Sequence, residues 1–393
     1  MSKVQWMSRD LWIIGAGFVA AMHIGKLPPT VPILQAELGI SLVQAGLLLS
    51  LVQFAGMFFA LLLGSYTEKL GLKRCVVLGL TLLAIASGLG GFAHTVSMLF
   101  GLRILEGFGF LLVTLSGPAL IRKLVPLEAL QLKMGLWSSY MGGGMGLGLL
   151  CTPLLIGLFA WHGVWICFAV LSLFFALMIQ KYVPNDQHAS TQTIAPKSLI
   201  QATLKHPPAW ILACIFGTYT GQWFSLVGFL PTIYQQNQIS LTQAGLLTAI
   251  VAMSNAVGTF ICGLCLQRGW KAQTLIQTGF TVLMITTLSF YLFKDVLPFA
   301  VQYGLVFSFS LFGGLVAAIV FSQALHFAPQ VIAISATIGL VLQISAVSQF
   351  ILPPTVGMIV SSTGSWFWVG LMMASLSCIG MYLSHRLFRY QAP

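Results

Sequence analysis

Two pairs of ionisable side chains stand three residues apart within otherwise apolar stretches of the sequence. His23 precedes Lys26, and Arg103 precedes Glu106. Residues three apart on a helix share one face, so each pair is expected to form one polar patch. Two fixed cations beside one carboxylate are suited to holding an anion, and an imidazole changes its charge near neutral pH. The chemistry that these residues indicate is ion binding and proton transfer.

The stretches that carry these pairs are long enough to cross a membrane. Of the 393 residues, 58% are hydrophobic and 6% are charged, whereas about 25% of the residues in a typical soluble domain are charged. Runs of about 20 apolar residues, which span a hydrocarbon core of about 30 Å, recur along the chain. They predict an all-α integral membrane protein with twelve transmembrane helices, near 11–34, 42–66, 73–93, 96–119, 131–158, 162–182, 208–234, 241–266, 272–293, 297–325, 331–360 and 363–386.

Basic residues are distributed unevenly between the two sides of this predicted bundle. Lys26 and Arg103 lie inside apolar runs, and with a cytoplasmic N-terminus only Lys294 falls on the outer side, which leaves 15 of the 18 Lys and Arg residues on the cytoplasmic side. This is the positive-inside bias. It predicts a multi-pass protein of the cytoplasmic (inner or plasma) membrane with both termini inside. It also explains the net charge of +11 without a nucleic-acid partner.

The seven cysteines all lie within apolar runs, and two of them, Cys262 and Cys265, form a C-x-x-C. That spacing occurs in redox and metal sites. Here no second pair of Cys or His residues completes a metal site, and reduced packing residues are the favoured interpretation. The sequence predicts no metal and no cofactor.

The second half of the chain repeats the first. The peptide "ISLVQAGLL" at Ile40 returns as "ISLTQAGLL" at Ile239, 199 residues later, and the same offset aligns Pro32 with Pro231. We therefore predict two parallel six-helix bundles, 1–182 and 207–393, joined by a cytoplasmic linker, 183–206. Secondary transporters use such pairs, related by an axis along the membrane normal, with a substrate site near the bilayer midplane.

Three motifs resemble signatures of the major facilitator superfamily. The segment "GSYTEKLGLKR" (64–74) is similar to its loop signature, although an Asp is usual at the acidic position. The matching residues are Gly64, Glu68, Lys69, Gly71, Lys73 and Arg74. "RILEGFG" (103–109) resembles the Arg-x-x-x-Gly signature, with Glu106 where Gln is more usual. "GMGLGLLCTPLLIG" (144–157) resembles the antiporter signature through Gly144, Gly148, Pro153 and Gly157, while Thr152 and Ile156 replace glycines. The resemblance implies that these four residues serve in helix packing or as a hinge.

Two further segments resemble one branch of that superfamily. "MGLWSSYMGGGMGLG" (134–148) and "GFLPTIY" (228–234) are similar to the cyanate-permease and nitroimidazole-transporter branch. The Arg that this branch carries in its first helix has no aligned equivalent here, so the substrates of the branch do not carry over.

The resemblance implies roles for two groups of residues. It implies that helices 1, 4, 7 and 10 line a central cavity. It also implies that the 64–74 loop is a conformational latch, with Glu68 near the start of the eleventh helix, where the helix dipole favours an acid. The glycines of that loop would allow tight turns. A simple positive-inside anchor would account for Lys73 and Arg74, but it would not account for Glu68.

The second half offers neutral groups where the first offers charges. The repeat sets Gln222 opposite His23 and Ser225 opposite Lys26. We expect the substrate cavity and the proton-coupling site to be formed by His23, Lys26, Arg103, Glu106, Trp137, Tyr219, Gln222, Trp223, Asn255 and Gln343. In this interpretation the cations hold an anionic group and the tryptophans cover the rest of a small organic anion.

Purely structural roles for the charged residues are also compatible with the sequence. Arg103 and Glu106 could form a mutual pair that only braces their helix. His23 could be a packed residue with a satisfied ring nitrogen. Lys26 is followed by two prolines, and an early helix end would let it reach the membrane surface by snorkelling.

The function that these features favour is secondary active transport. No nucleotide-binding G-x-x-x-x-G-K-[ST] occurs, so an ion gradient must supply the energy, and Glu106, with or without His23, is the expected proton carrier. One acid and one His inside the bilayer are too few for an enzyme. Alternatives are a proton-antiport exporter of drugs or amphipathic compounds, and a non-transporting sensor or scaffold. A monomer is expected; substrate, direction and coupling mode are left open.

Overall fold

The computed structural model describes residues 9–126, 133–134, 136–137, 139–185, 196–294, 296–324, 326–330 and 333–390. The regular secondary structure of these residues is helical. Its helices are α1 (Arg9–Gly25), α2 (Leu27–Leu38), α3 (Leu42–Ser50), α4 (Phe54–Leu70), α5 (Leu72–Gly90), α6 (Val96–Leu124), α7 (Tyr140–Tyr182), α8 (Pro196–Leu204), α9 (Pro207–Gln236), α10 (Leu241–Gln267), α11 (Ala272–Leu292), α12 (Phe299–Gln323), α13 (Ile334–Thr363) and α14 (Phe367–Arg389). A short 3-10 helix, Leu51–Gln53, joins α3 to α4.

In this part of the chain, eleven helical stretches are long and apolar enough to cross a membrane. The longest, α7, has 43 residues and is interrupted at Ala160, whose φ is +54°. The chain turns back there: the first arm of α7 runs alongside α1 in the same direction, and the second arm returns, bringing Phe175 beside Gly15. Counting the two arms separately gives the twelve predicted spans, and the predicted fold class is confirmed.

The repeated peptide marks equivalent helix starts in the two halves. Ser41 caps α3 by accepting a hydrogen bond from the backbone N–H of Gln44 (3.2 Å), and the Gln44 side chain accepts from the Ser41 N–H (2.8 Å). Ser240 caps α10 by accepting from the N–H of Gln243 (3.3 Å). An N-terminal Ser with Gln three residues later satisfies amides that the first helical turn leaves unpaired. The same local chemistry therefore begins the second helix of each half.

The two halves meet along three lines of helices: α3 and α4 against α13, the first arm of α7 against α10, and α2 against α9. The repeated glycines make the closest approaches. A Cβ on Gly46 would lie 2.5 Å from the Pro353 carbonyl oxygen, and Gly245 lies against Pro153 in the symmetry-related position. Small residues let membrane helices pack closely. The contact continues to the middle of α4, where Gln343 accepts from the Leu61 N–H (3.2 Å).

The bundle has two ends. We call the end that carries Arg9, Lys73 and Arg389 the terminal face, and the end that carries Ser41 and Ser240 the opposite face. Of the predicted linker 183–206, the structure describes 183–185 and 196–206; these residues lie at the terminal face and include α8, a helix that the sequence did not predict. This helix contacts α4 in the first half and α9 and α13 in the second.

Candidate functional site

His23, Lys26, Arg103 and Glu106 lie together, and we call them the buried ion network. Their exposed fractions are 0%, 0%, 3% and 1%. The network is enclosed by α1, α5, α6 and the second arm of α7. The predicted neighbourhood of the two i, i+3 pairs is thus seen in the structure.

The backbone around Lys26 explains why its side chain points inward. Lys26 separates α1 from α2 but keeps right-handed helical dihedrals, and its N–H donates to the Met22 carbonyl (2.9 Å). Pro28 and Pro29 follow in the first turn of α2, where a missing N–H costs nothing. The chain therefore continues toward the opposite face. The snorkelling interpretation of Lys26 is wrong, because its side chain is fully buried.

Glu106 is the centre of the network. Its Oε1 accepts a hydrogen bond from Lys26 Nζ (2.5 Å), and its Oε2 accepts from Arg103 Nη1 (2.6 Å). Arg103 Nη1 also donates to the His23 carbonyl (2.7 Å), and its Nε donates to the Leu48 carbonyl (3.1 Å). The Arg103–Glu106 pair therefore ties α6 to α1 and α3, which is more than bracing its own helix.

A serine and a tryptophan join Glu106 around the Lys26 ammonium. Lys26 Nζ donates to Ser87 Oγ (2.8 Å) and lies 4.6 Å from the centre of the Trp165 ring. Ser87 Oγ in turn donates to the Trp165 carbonyl (2.7 Å). An ammonium over an indole face is stabilised by the ring quadrupole. Lys26 is thus held by three separate groups besides His23.

Both ring nitrogens of His23 are engaged. Nδ1 lies 3.2 Å from Lys26 Nζ, and Nε2 lies 2.7 Å from Ser172 Oγ. A charged ammonium can only donate, so Nδ1 must accept and the proton of a neutral ring sits on Nε2. His23 then donates to Ser172 on the second arm of α7. The interpretation of His23 as a packed and satisfied residue describes this geometry.

The network carries more positive than negative charge. Lys26 and Arg103 are balanced by one carboxylate, Glu106, and the hydrogen-bonding partners Ser87 and Ser172 are neutral. Of the Arg103 donors, Nη2 is buried and makes no hydrogen bond within the described residues. An uncompensated charge in a low-dielectric interior is costly. The arrangement can therefore accept an anion.

The second half repeats the bonding pattern with neutral groups. Ser377 Oγ donates to Gln222 Oε1 (3.1 Å), as His23 bonds to Ser172 in the first half. An offset of 204 residues sets Ser310 opposite Glu106, and Ser310 Oγ accepts from Trp223 Nε1 (2.9 Å). The asymmetry read from the repeat is present in the structure: the first bundle holds charges where the second holds hydroxyls and amides.

A second polar cluster lies near Ser310. Asn255 Nδ2 donates to the Tyr219 hydroxyl (2.5 Å) and to the Ser310 carbonyl (2.9 Å). Trp223 and Tyr219 are buried. Every described hydrogen-bond partner of the ion network belongs to the first half, so in this conformation the cations do not face these aromatic and amide groups across one cavity.

Two further predicted cavity residues lie elsewhere. The Trp137 ring fills a notch between Gly17 of α1 and Gly117 of α6, beside Tyr140. Its place is in the packing of the first half. Gln343 bonds to α4 at the contact between the halves.

The residues of the 64–74 loop are described in part. Gly71 has a φ of +91°, which favours glycine, and it separates α4 from α5. Lys73 is buried and donates to the Gln180 carbonyl and to Asn185 Oδ1, both at 3.0 Å, whereas Arg74 is exposed. Lys73 therefore ties α5 to the end of α7. The side chains of residues 64–69 lie outside the description, so the latch formed by Gly64, Glu68 and Lys69 stays a prediction.

Three of the four predicted packing residues in α7 make close contacts. Gly144 lies against Phe18, a Cβ on Gly148 would be 2.6 Å from the Met22 carbonyl oxygen, and Pro153 lies against Gly245. Gly157 makes no such contact, because a Cβ there would meet no atom within 4 Å, and its role as a hinge stays a prediction. Its position in α7 faces open space, where no helix approaches.

The sequence analysis missed Ser87, Trp165 and Ser172. A lone Ser in an apolar run is a weak signal, because it most often bonds to its own helix. It also missed Gln53 and Gln349, which are hydrogen-bonded across the contact between the halves (2.8 Å). These two residues could have been identified from the sequence, since each is a polar amide side chain inside a predicted transmembrane span.

Comparison with known proteins identifies the family to which the sequence is similar. A family model described as Major Facilitator Superfamily matches residues 13–347. The cyanate transport protein CynX of Escherichia coli is 28% identical over 59% of this chain and 60% of its own length. The 2-nitroimidazole transporter of Escherichia coli is 22% identical over 86% of this chain and 84% of its own length. A probable chloroplastic anion transporter of rice is 27% identical over 66% of this chain and 46% of its own length. The chain thus spans less than two thirds of the cyanate and rice proteins.

A solved structure shares the fold. The bacterial homologue of the human lysosomal transporter Spinster, in an inward-facing and occupied conformation, superposes with a TM-score of 0.74. The match covers 98% of this chain and 94% of the other, at 14% sequence identity.

Proposed function

The chain belongs to the major facilitator superfamily of membrane transporters, and from that premise we propose that it carries a small organic anion together with a proton. The observation that supports the anion is the charge of the buried ion network. Two cations share one carboxylate, and Arg103 Nη2 lacks a partner among the described residues. A carboxylate or similar planar anion on that guanidinium would neutralise the network and complete its hydrogen bonds.

A cationic substrate fits this network poorly. Glu106 is the one acid in the network, and both of its oxygens already accept charged hydrogen bonds, at 2.5 and 2.6 Å. A cation would have to displace Lys26 or Arg103, which leaves a buried charge without a partner. The geometry therefore favours an anion over a cation.

Proton coupling follows from the balance of charges among Lys26, Arg103 and Glu106. A proton on Glu106 removes the negative charge of the network and leaves Lys26 and Arg103 without a counter-ion. An anion is then bound more tightly, and by linkage the anion also favours the proton. We assign the proton to Glu106 and a positioning role to His23, because both His23 ring nitrogens are engaged. Mutual reinforcement of this kind favours symport over antiport.

Alternating access would use the two bundles, 1–182 and 207–393, as moving bodies joined by 183–206. The network is sealed from water in the described conformation, so another conformation has to open it. The 64–74 loop is proposed to stabilise one of the two end states through Glu68. We propose a monomer in the cytoplasmic membrane, and the positive-inside bias supports an orientation with the terminal face inside.

A second candidate is proton-driven export of an amphipathic compound. It draws on the likeness to the 2-nitroimidazole transporter and on the buried aromatic side chains Tyr219 and Trp223. It predicts ligands that bind without the network cations. The experiment below separates the two candidates.

A binding screen by thermal shift tests the proposed substrate class. We expect small carboxylates and comparable anions to raise the Tm of the purified wild type in detergent, and to leave the Tm of Lys26→Met unchanged. Lys294→Met removes the same charge at the opposite face and serves as the control that keeps the response. Stabilisation by cations or neutral amphiphiles, or an anion response that survives Lys26→Met, would reject the anion proposal.

A further inference from the structure

The second span of the first half is broken near its middle. α3 ends at Ser50, the 3-10 helix Leu51–Gln53 follows, and α4 begins at Phe54. No Gly or Pro occurs in the sequence at this junction ("LLSLVQFA", 48–55). A 3-10 stretch inside a longer helix often marks a hinge or a strained segment. The local sequence does not account for the break, but its contacts on both sides do connect it to the rest of the bundle.

On one side, the break is attached to the buried ion network. Arg103 Nε donates to the Leu48 carbonyl (3.1 Å), which lies in the last turn of α3, where a helix end leaves carbonyls without intrahelical donors. One turn further along α6, Gly107 makes room for the Val52 carbonyl, since a Cβ there would lie 2.5 Å from that oxygen. The guanidinium that bonds to Leu48 also bonds to Glu106 (2.6 Å).

On the other side, the break reaches the second half. Gln53 Nε2 donates to Gln349 Oε1 (2.8 Å), Gln349 Nε2 donates to Ser345 Oγ (2.8 Å), and Ser345 Oγ donates to Thr220 Oγ1 (2.9 Å). All four side chains are buried. This neutral chain of hydrogen bonds crosses from the first half through α13 to α9. Around it the contact is apolar, with Gly56 against Ala346.

We infer that Gln53 is a positioning residue that transmits the state of the buried ion network to the contact between the two halves. Arg103 can hold the Leu48 carbonyl while Glu106 fixes the guanidinium. When a proton neutralises Glu106, or an anion draws the guanidinium away, the carbonyl loses its donor. The backbone of 51–53 is then free to change geometry, and Gln53 withdraws from Gln349. The inference rests on the proposed function only for the nature of the signal, a proton or an anion.

The distance between the halves at the opposite face tests this linkage. Spin labels at Ala36→Cys and Thr242→Cys, both exposed positions, are placed in the full-length protein after replacement of its seven native cysteines. Distance distributions are then measured in nanodiscs for Glu106→Gln, Gln53→Leu and the double variant. Gln343→Leu is the matched control, because Gln343 also crosses between the halves but bonds to Leu61 outside the break.

We expect Glu106→Gln and Gln53→Leu each to raise the population of the longer distance by about threefold or more, the size of typical coupling between sites. The double variant should show no further increase, whereas Gln343→Leu should add to Glu106→Gln independently. Additive effects of Gln53→Leu and Glu106→Gln, or an unchanged distribution in Glu106→Gln, would overturn the inference.

An alternative variant is available in case Glu106→Gln misfolds. If Glu106→Gln does not give folded protein, Lys26→Met/Glu106→Gln removes one charge of each sign and is compared with Gln53→Leu in the same way. The readout is also independent of transport. Failure of anion transport with non-additive distances would reject the proposed function alone, and additive distances with coupled transport intact would reject this inference alone.

Discussion

At the scale of single residues, Glu106 balances Lys26 and Arg103 at once, and the three side chains are not equivalent. Removing Glu106 leaves two buried cations without a counter-ion. Removing Lys26 leaves Arg103 and Glu106 as a neutral pair (2.6 Å). Breaking a buried ion pair from one side is costly because the remaining charge stays buried, whereas a network with balanced charges avoids that cost.

The stability of three variants follows from this asymmetry. We expect Glu106→Gln to destabilise the protein by about 3–5 kcal/mol, the cost of an uncompensated buried charge. Lys26→Met should cost much less, and Lys26→Met/Glu106→Gln should recover part of the loss. Thermal unfolding in detergent measures the order of the Tm values. A Lys26→Met variant that is less stable than Glu106→Gln would contradict the charge balance.

Ser87 offers a second prediction at this scale. It accepts from Lys26 (2.8 Å) and donates to the Trp165 carbonyl (2.7 Å), so Ser87→Ala leaves a buried donor and a buried acceptor short of one bond. A loss of about 1–3 kcal/mol is expected. Ser375→Ala is the control, because Ser375 is exposed and bonds only to its own helix. Equal Tm values for the two variants would show that Ser87 does not support the network.

Residue types and spacing predicted which charged side chains lie close to each other, but the direction in which those side chains point could not be predicted from the sequence. The i, i+3 spacing of His23 with Lys26 and of Arg103 with Glu106 is fixed by helix geometry. Ser87, Trp165 and Ser172 come from other helices, and the rotation of those helices depends on packing over the whole bundle. For the same reason the sequence could not show that Lys26 points into its own bundle.

At the scale of helices, two glycines of α7 differ in their surroundings: one is closely packed against another helix and the other has no neighbour. Gly148 lies where a Cβ would be 2.6 Å from the Met22 carbonyl oxygen, and Gly157 faces open space. Both occur in one motif that the sequence alone treats uniformly. What a helix meets on each face decides the role of a glycine, and that is a property of the packed structure.

The pair Gly148→Ala and Gly157→Ala tests this distinction. Gly148→Ala should lower the Tm, because the backbones of α1 and α7 must move apart. Gly157→Ala should be neutral or stabilising by about 0.5–1 kcal/mol, since Ala loses less backbone entropy than Gly in a helix. Equal losses in the two variants would mean that α1 and α7 are less closely packed than described.

Hydropathy predicted the spans well because each must present apolar side chains along its length. The α9 span was expected near 208–234 and is Pro207–Gln236. The break at Leu51–Gln53 was not predicted, because it has no Gly or Pro, and the groups that contact it, Arg103 and Gln349 of α13, are distant in the sequence. The short helix α8 was not predicted, because the polar residues around it are typical of a linker.

At the scale of the whole molecule, the internal repeat relates each position in the first half to an equivalent position in the second. In the structure, its two copies begin equivalent helices at Ser41 and Ser240, and Gly46 and Gly245 each approach the partner half closely. The repeat also identified His23 and Lys26 as ionisable positions whose counterparts in the second half, Gln222 and Ser225, are neutral. A duplicated bundle in which only one copy carries ions can bind an anion and a proton at one position while the other copy serves as scaffold.

Orientation in the membrane is a prediction at this scale. In a cysteine-free background, Lys294→Cys should react with a membrane-impermeant maleimide in intact cells. Arg389→Cys should react only after permeabilisation, because positive charge concentrates on the cytoplasmic side. Labelling of Arg389→Cys from outside would invert the proposed topology.

The most direct test of proton-coupled anion transport is proton movement driven by an anion gradient in proteoliposomes. With a pH-sensitive dye inside and a carboxylate from the binding screen added outside, the account predicts acidification of the lumen by wild type beyond that of protein-free liposomes. Lys294→Met should acidify the lumen as wild type does, and Glu106→Gln should not exceed protein-free liposomes. Anion uptake without proton movement, or proton movement that survives Glu106→Gln, would contradict the account.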